Sequence, residues 1–296
     1  MAKAKFRLKL ARQRGEQTSN EFGFDRFPID PFDIAQRSDI LVEAKDPQMD
    51  GVSGCIIIND DGVGIIYSTR VRSQGFRRFT VAHELGHYFL DGHPAEIEAS
   101  GGFHASRAGF TQGNSSIELE ADHFASGLLM PTKLVRDVLS GENVGMPGIT
   151  ALSLDADTSL TSAAIRASEC APYPMAVIVS QGENVCYGFL SESFKTLGGR
   201  RFLRKGDALP ASATREFNSD GSNVRSGKSL CASTDLSCWF QGSPSITLDE
   251  EIVGLGGYDL TLTILSSEAL PEDPYEEEDE DEKLREQWTP KFAHGR

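Results

Sequence analysis

The chain has 296 residues, 39% of them hydrophobic and 25% charged, with a formal net charge of −15. That length and balance suit one large globular domain or two ordinary ones. No apolar run reaches the ~18 residues of a membrane span, and an acidic surface repels phosphate backbones, so direct nucleic-acid binding is disfavoured.

The elements follow in chain order. Residues 1–27 open as a basic arm, MAKAKFRLKLARQR, with no apolar segment behind it of the kind a secretory signal needs. DPFDIAQRSD predicts a short helix capped by Asp30 with Pro31 at its first position. Cys55–Ile58 and Val63–Tyr67 flank Asn59-Asp60-Asp61-Gly62 and predict a β-hairpin. A helix follows from about Gln74 to Leu90, then a long polar loop over 91–115. A second helix runs from about Ser116 to Met130 and stops at Pro131. TKLVRDVLS ends at Gly141, and TSLTSAAIRASE is a further helix. From Pro174 the period changes to that of strands: MAVIVSQGENVCYGFL reads strand, turn, strand, and DLTLTILS alternates. PEDPYEEEDEDEKLRE, residues 271–286, holds ten acids against Lys283 and Arg285 and predicts a disordered tail over 268–296. Five dispersed cysteines without a C-x-x-C pair fit a reducing cytoplasm.

RFTVAHELGHYFL raises the first chemical question. On a helical wheel Val81, Leu85, Tyr88 and Phe89 share one face, while Thr80, His83, Glu84 and His87 form a stripe beside it. Polar groups lined along a helix fit for burial need compensation, because desolvating a carboxylate and two imidazoles without partners costs about several kcal/mol. A divalent metal supplies it. His83 and His87, at i and i+4, can share one ion, and Glu84 is placed to act as a general base toward water. Five of the six histidines fall between residues 83 and 123. A catalytic zinc takes three protein ligands. Glu118 on the second helix is the preferred third donor, with His93 and Glu120 as alternatives. Asp122, one turn after Glu118, is placed to accept the free N–H of a ligand histidine. Gly86 in mid-helix is expected where the second helix comes close. His104 and His123 are candidates for a second oxyanion donor only by proximity in sequence.

RRFTVAHELGHYFL followed by ELEADHFASGLLMP resembles the ImmA/IrrE family of zinc metallopeptidases. The resemblance covers about residues 28–140. It implies a small gluzincin-like domain with His83, His87 and Glu118 as zinc ligands and Glu84 as base. Asp122 stands where the family usually has asparagine. The family's activity implies an endopeptidase whose protein substrate is a regulatory protein such as a transcriptional repressor.

The whole is expected to be an α+β chain. Its parts are a basic arm (1–27), a zincin-like metallopeptidase domain (28–140), a helical segment resembling a helix-turn-helix (141–173), a β-rich domain (174–267) and the acidic tail. Arg166 is the one cation on the candidate recognition helix, so that segment reads as packing for the metal domain rather than as a DNA reader. Strand 63–67 is expected at the cleft edge, where it would bind substrate by strand addition. A zinc-stabilised module that senses or binds without catalysis is the alternative function.

Overall fold

The computed structural model describes residues 2–45, 52–70, 73–106, 116–197 and 203–267. The expected tail lies outside these. The chain divides into two compact units, one of Met1–Asn143 with Pro147–Ala167, the other of Val144–Met146 with the chain from Ser168 onward.

The first unit opens with a helix where an arm and loop were expected. α1 spans Ala2–Glu21 and packs along α5 (Ser116–Leu129). Its buried stripe is Ala11, Gly15, Thr18 and Ser19, spaced as a helix requires but made of small or polar residues. Of its larger apolar residues, Phe6 and Leu10 are exposed and Leu8 is half-buried. Hydropathy therefore gives no sign of it. The crossing is nearly backbone on backbone: a β-carbon at Gly15 would run into the Phe124 carbonyl and the Leu128 amide, and one at Gly127 into the Arg12 carbonyl.

α2 (Pro31–Arg37) forms as expected, with the Asp30 carboxylate accepting from the Phe32 amide at 2.9 Å. β1 (Ile40–Lys45), β2 (Gly54–Asn59) and β3 (Gly62–Ser68) follow, then α3 (Gln74–Phe89). The stretch read as a loop holds α4 (His93–Ala99) and β4 (Phe103–Ser106). The sheet order is β1-β3-β2-β4, with β1 parallel to β3 and the other pairs antiparallel. Ile56 and Ile65 lie opposite each other, both fully buried beneath α3. β3 thus has a neighbour on each side, and strand 63–67 cannot add a substrate strand; β1 and β4 form the edges of the sheet. α6 (Thr132–Ser140), α7 (Met146–Asp155) and α8 (Leu160–Cys170) complete the helices of this half. Arg166 on α8 is buried and donates to the Met130 carbonyl at 2.8 Å, to Glu16 at 2.6 Å and to Thr132 at 3.0 Å.

The second unit is β-rich, as its alternating pattern predicts. β5 (Met175–Gln181), β6 (Asn184–Leu190), β7 (Ser229–Asp235), β8 (Thr247–Gly254) and β9 (Thr261–Ser266) form an antiparallel sheet in the order β6-β5-β9-β8-β7. β5 is buried on both faces from Met175 to Ser180, which explains its near-continuous apolar run. Short helices α9 (Glu192–Thr196), α10 (Ala213–Ser219), α11 (Gly221–Arg225) and α12 (Leu236–Trp239) fill the connections. Phe194, Trp239, Phe240 and Leu248 join Ile178 and Leu265 in its main core. The buried Glu250 carboxylate accepts from the Thr214 amide at 2.6 Å and from its hydroxyl at 2.7 Å, tying α10 to the sheet. Among the described residues no helix is long and apolar enough to cross a membrane.

Candidate metal centre

α3 is held over the sheet by Val81, Ala82 and Leu85, all fully buried. That packing turns the neighbouring stripe toward α5. The approach is close at Gly86, where an added β-carbon would lie 3.1 Å from the Ala121 α-carbon and 3.2 Å from the Phe124 ring. α5 buries Ala121, Phe124 and Leu128 against α3, and this turns Glu118 and Asp122 toward the histidines. The helix pairing expected from Gly86 is therefore present.

His83, His87 and Glu118 each offer one donor atom, and these lie within 4.8 Å of one another. His87 Nε2 is 3.2 Å from His83 Nε2 and 3.1 Å from Glu118 Oε1, and His83 Nε2 is 3.7 Å from Glu118 Oε2. Two imidazoles aiming Nε2 at one point beside a carboxylate is the donor set of a three-ligand zinc site. Glu84 is fully buried beside them. Its Oε2 accepts from the Ser106 hydroxyl at 3.2 Å, and its Oε1 has no hydrogen-bond partner among the described residues. A buried carboxylate with one weak donor is costly unless a cation or a polar ligand joins it. The residues fit a divalent metal on both counts. Gly54 makes the room: a β-carbon there would lie 2.8 Å from Glu84 Oε1 and 2.6 Å from the Thr80 methyl.

The electrostatics follow from burial and pairing. Burial opposes the charge on His83, but Asp122 and Glu118 outweigh it and raise its pKa to about 10. Burial lowers His87 to about 3 and raises Glu84 to about 7. Burial also works against the Glu118 carboxylate, yet hydrogen bonds from His104, His83 and His87 hold it far below its usual range. At pH 7 the metal-free cluster thus carries a proton on His83 that an incoming metal must displace. Zinc added to the metal-free protein at pH 7 in weak buffer should release at least about one proton per metal bound, from His83 and in part from Glu84, read with a pH indicator. No release would show that His83 is already neutral.

The surrounding residues sort out as follows. Asp122 Oδ1 is 2.8 Å from His83 Nδ1. His93 and Glu120, the alternative third donors, lie away from the donor cluster. His93 Nδ1 is 3.2 Å from His87 Nδ1, the nitrogen opposite the donor, and His93 Nε2 is 3.5 Å from Glu120 Oε2. Glu120 Oε2 also accepts from Arg7 at 2.9 Å. His104 enters the cluster from β4, with Nε2 2.7 Å from Glu118 Oε1. His123 does not enter it, since its Nδ1 sits 2.6 Å from Arg12 on α1. Ser106 and Gly54 were not singled out from the sequence. The alternation in Phe-His-Ala-Ser was the available signal: His104 and Ser106 share a face of β4 and both reach the cluster.

Residues 35–144 match the family model Peptidase_M78, described as an IrrE N-terminal-like domain. This agrees with the resemblance carried by the α3 and α5 motifs. No curated protein matches the chain. Among solved structures the chain is similar to a Mycobacterium tuberculosis transcriptional regulator, at 12% identity and a TM-score of 0.54, over 87% of this chain and 75% of that one. At that identity the likeness concerns the fold alone.

Proposed function

We infer that this chain, whose residues 35–144 match an IrrE N-terminal-like domain, is a zinc-dependent endopeptidase of the ImmA/IrrE kind. Its substrate is read as a regulatory protein such as a transcriptional repressor. The observation that carries the reading is the convergence of His83, His87 and Glu118 beside a buried Glu84 whose Oε1 has no partner. A structural metal site needs no such carboxylate.

His83, His87 and Glu118 would hold the zinc, which when bound supplies Lewis acidity to water and to a peptide carbonyl. Glu84 Oε1 takes a proton from the attacking water and returns it to the leaving amine nitrogen. Ser106 fixes the other oxygen of that carboxylate, and Gly54 leaves the space in which it sits. Asp122 holds His83 with its proton on Nδ1, leaving Nε2 for the metal. His104 donates from Nε2, since its partner there is a carboxylate, and it is partly open to solvent at the mouth of the site. Gly102 and Ser106 turn their carbonyls toward β2. By alternation, Phe103 and Ala105 present theirs at the free edge of β4, where an extended substrate can add as a strand.

Incubation of the zinc-loaded chain with candidate repressors tests this. Cleavage at a defined bond, lost with a chelator and restored by zinc, is expected. A purified, fully loaded protein that leaves every candidate intact removes the reading.

A second reading keeps the metal without the chemistry. It is favoured by His104, a further potential donor whose Nε2 lies 2.7 Å from the Glu118 carboxylate. Cobalt substitution separates the two, because a closed site gives a spectrum that does not change with added anions. DNA reading is disfavoured, since Arg166 is fully engaged inside its own unit.

A further inference from the structure

We propose that the N-terminal helix is part of the metal centre: Arg7, Glu120 and His93 form a hydrogen-bonded chain that fixes His87 in the tautomer presenting Nε2 to the metal. The proposal rests on the reading of His83, His87 and Glu118 as metal donors.

A neutral histidine ligates only through the nitrogen without a proton, so each ligand needs something that holds its proton on the far side. Asp122 does this for His83 directly. His87 Nδ1 meets no carboxylate; it meets His93 Nδ1 at 3.2 Å. Two imidazole nitrogens at that distance share one proton. If His93 donates it, the remaining proton of His87 sits on Nε2 and points into the donor cluster. If His87 donates it, Nε2 is a lone pair.

Glu120 decides between them. Its Oε2 faces His93 Nε2 at 3.5 Å, the outer limit of a hydrogen bond, and a carboxylate there can only accept. The proton of neutral His93 therefore sits on Nε2, and its Nδ1 must accept from His87. Arg7 donates to the same Glu120 oxygen at 2.9 Å and holds the carboxylate in place. His93 and Glu120 are 1% and 5% exposed, so water does not substitute for these contacts.

The backbone is built for the arrangement. α3 ends at Phe89 with Leu90 as its cap, Gly92 takes a left-handed turn at φ 89, and the His93 amide donates back to the Leu90 carbonyl at 3.2 Å. That reversal aims His93 at the turn of α3 that carries His87. Gly92 comes two residues too late for a third-ligand histidine of the H-x-x-G-x-x-H kind; here it serves a supporting one.

The test is the zinc dissociation constant of the full chain, measured by competition with a chromophoric chelator. His93→Phe and the isosteric Glu120→Gln should each weaken zinc by roughly 10–100-fold. Arg7→Ala, on an exposed side chain whose loss spares the core, should weaken it severalfold, and Arg7→Lys should recover most of that. The double variant Arg7→Ala/His93→Phe should bind no more weakly than His93→Phe alone, as members of one chain must. Histidine nitrogen NMR of the zinc-loaded protein should show the His87 Nδ1 proton hydrogen-bonded to an acceptor in the wild type and free of it in His93→Phe. Wild-type zinc affinity in both His93→Phe and Glu120→Gln, or additive losses from Arg7 and His93, would overturn the proposal. A wild type that takes up no zinc overturns the site itself. A wild type that binds zinc tightly yet cleaves nothing removes only the peptidase reading, and the affinities still decide the relay.

Discussion

Glu84→Gln is expected to abolish peptide cleavage while leaving zinc bound at one equivalent. The substitution keeps the shape of the side chain and an oxygen able to accept from Ser106. It removes the one group in the cluster that is basic, buried and without a partner on Oε1. General-base catalysis contributes about 10²–10⁴-fold, and the same carboxylate is asked to act again as the acid, so a loss at the upper end is expected. The donors His83, His87 and Glu118 are untouched, so metal content should hold. Metal analysis and cleavage on the same preparation separate the two effects. Undiminished proteolysis in the loaded variant would remove Glu84 from the mechanism and leave the site a scaffold.

Glu118→Ala should act the other way, on the metal before the chemistry. It deletes one of three donors and strips His104 of a partner at 2.7 Å and His87 of one at 3.1 Å. Zinc affinity should fall by about 4 kcal/mol, roughly a thousandfold, if a donor carries about a third of the lower range of zinc binding energies. Glu120→Ala should cost far less, because Glu120 reaches the metal only through His93 and His87. Comparable losses from the two glutamates would mean that the donor set is misassigned.

The parts legible in the sequence were those where composition and spacing agree. α3 declares itself because its apolar face and its polar stripe both repeat at the helical period, and α5 because Glu118 and Asp122 border an apolar face that ends at a proline. The hairpin and the β-rich half follow from β-branched runs around turn residues. What stayed hidden was set by tertiary contact. α1 buries glycine, alanine and hydroxyl side chains, so nothing in its hydropathy marks a packed face. β4 is four residues long and sits among glycines that suggest a loop. Which strand becomes an edge depends on the pairing of β1 with β3, a parallel contact that no local pattern announces. His93 and Glu120 were alternatives to Glu118 as third donor, and both lie outside the group of converging donor atoms. Spacing tells which residues share a turn, but not which nitrogen of a ring faces which neighbour.

The glycine-on-backbone crossing of α1 and α5 has an evolutionary and engineering corollary. α5 bears Glu118 and Asp122 on one side and takes α1 at Gly127 on the other. Because the obstruction at Gly15 and Gly127 is backbone, which cannot rotate aside, one extra methyl group at either would be transmitted to the cation-binding carboxylate as a displacement of the whole rod. Those two positions are therefore where a library of small substitutions could tune, or silence, metal loading without touching a single ligand.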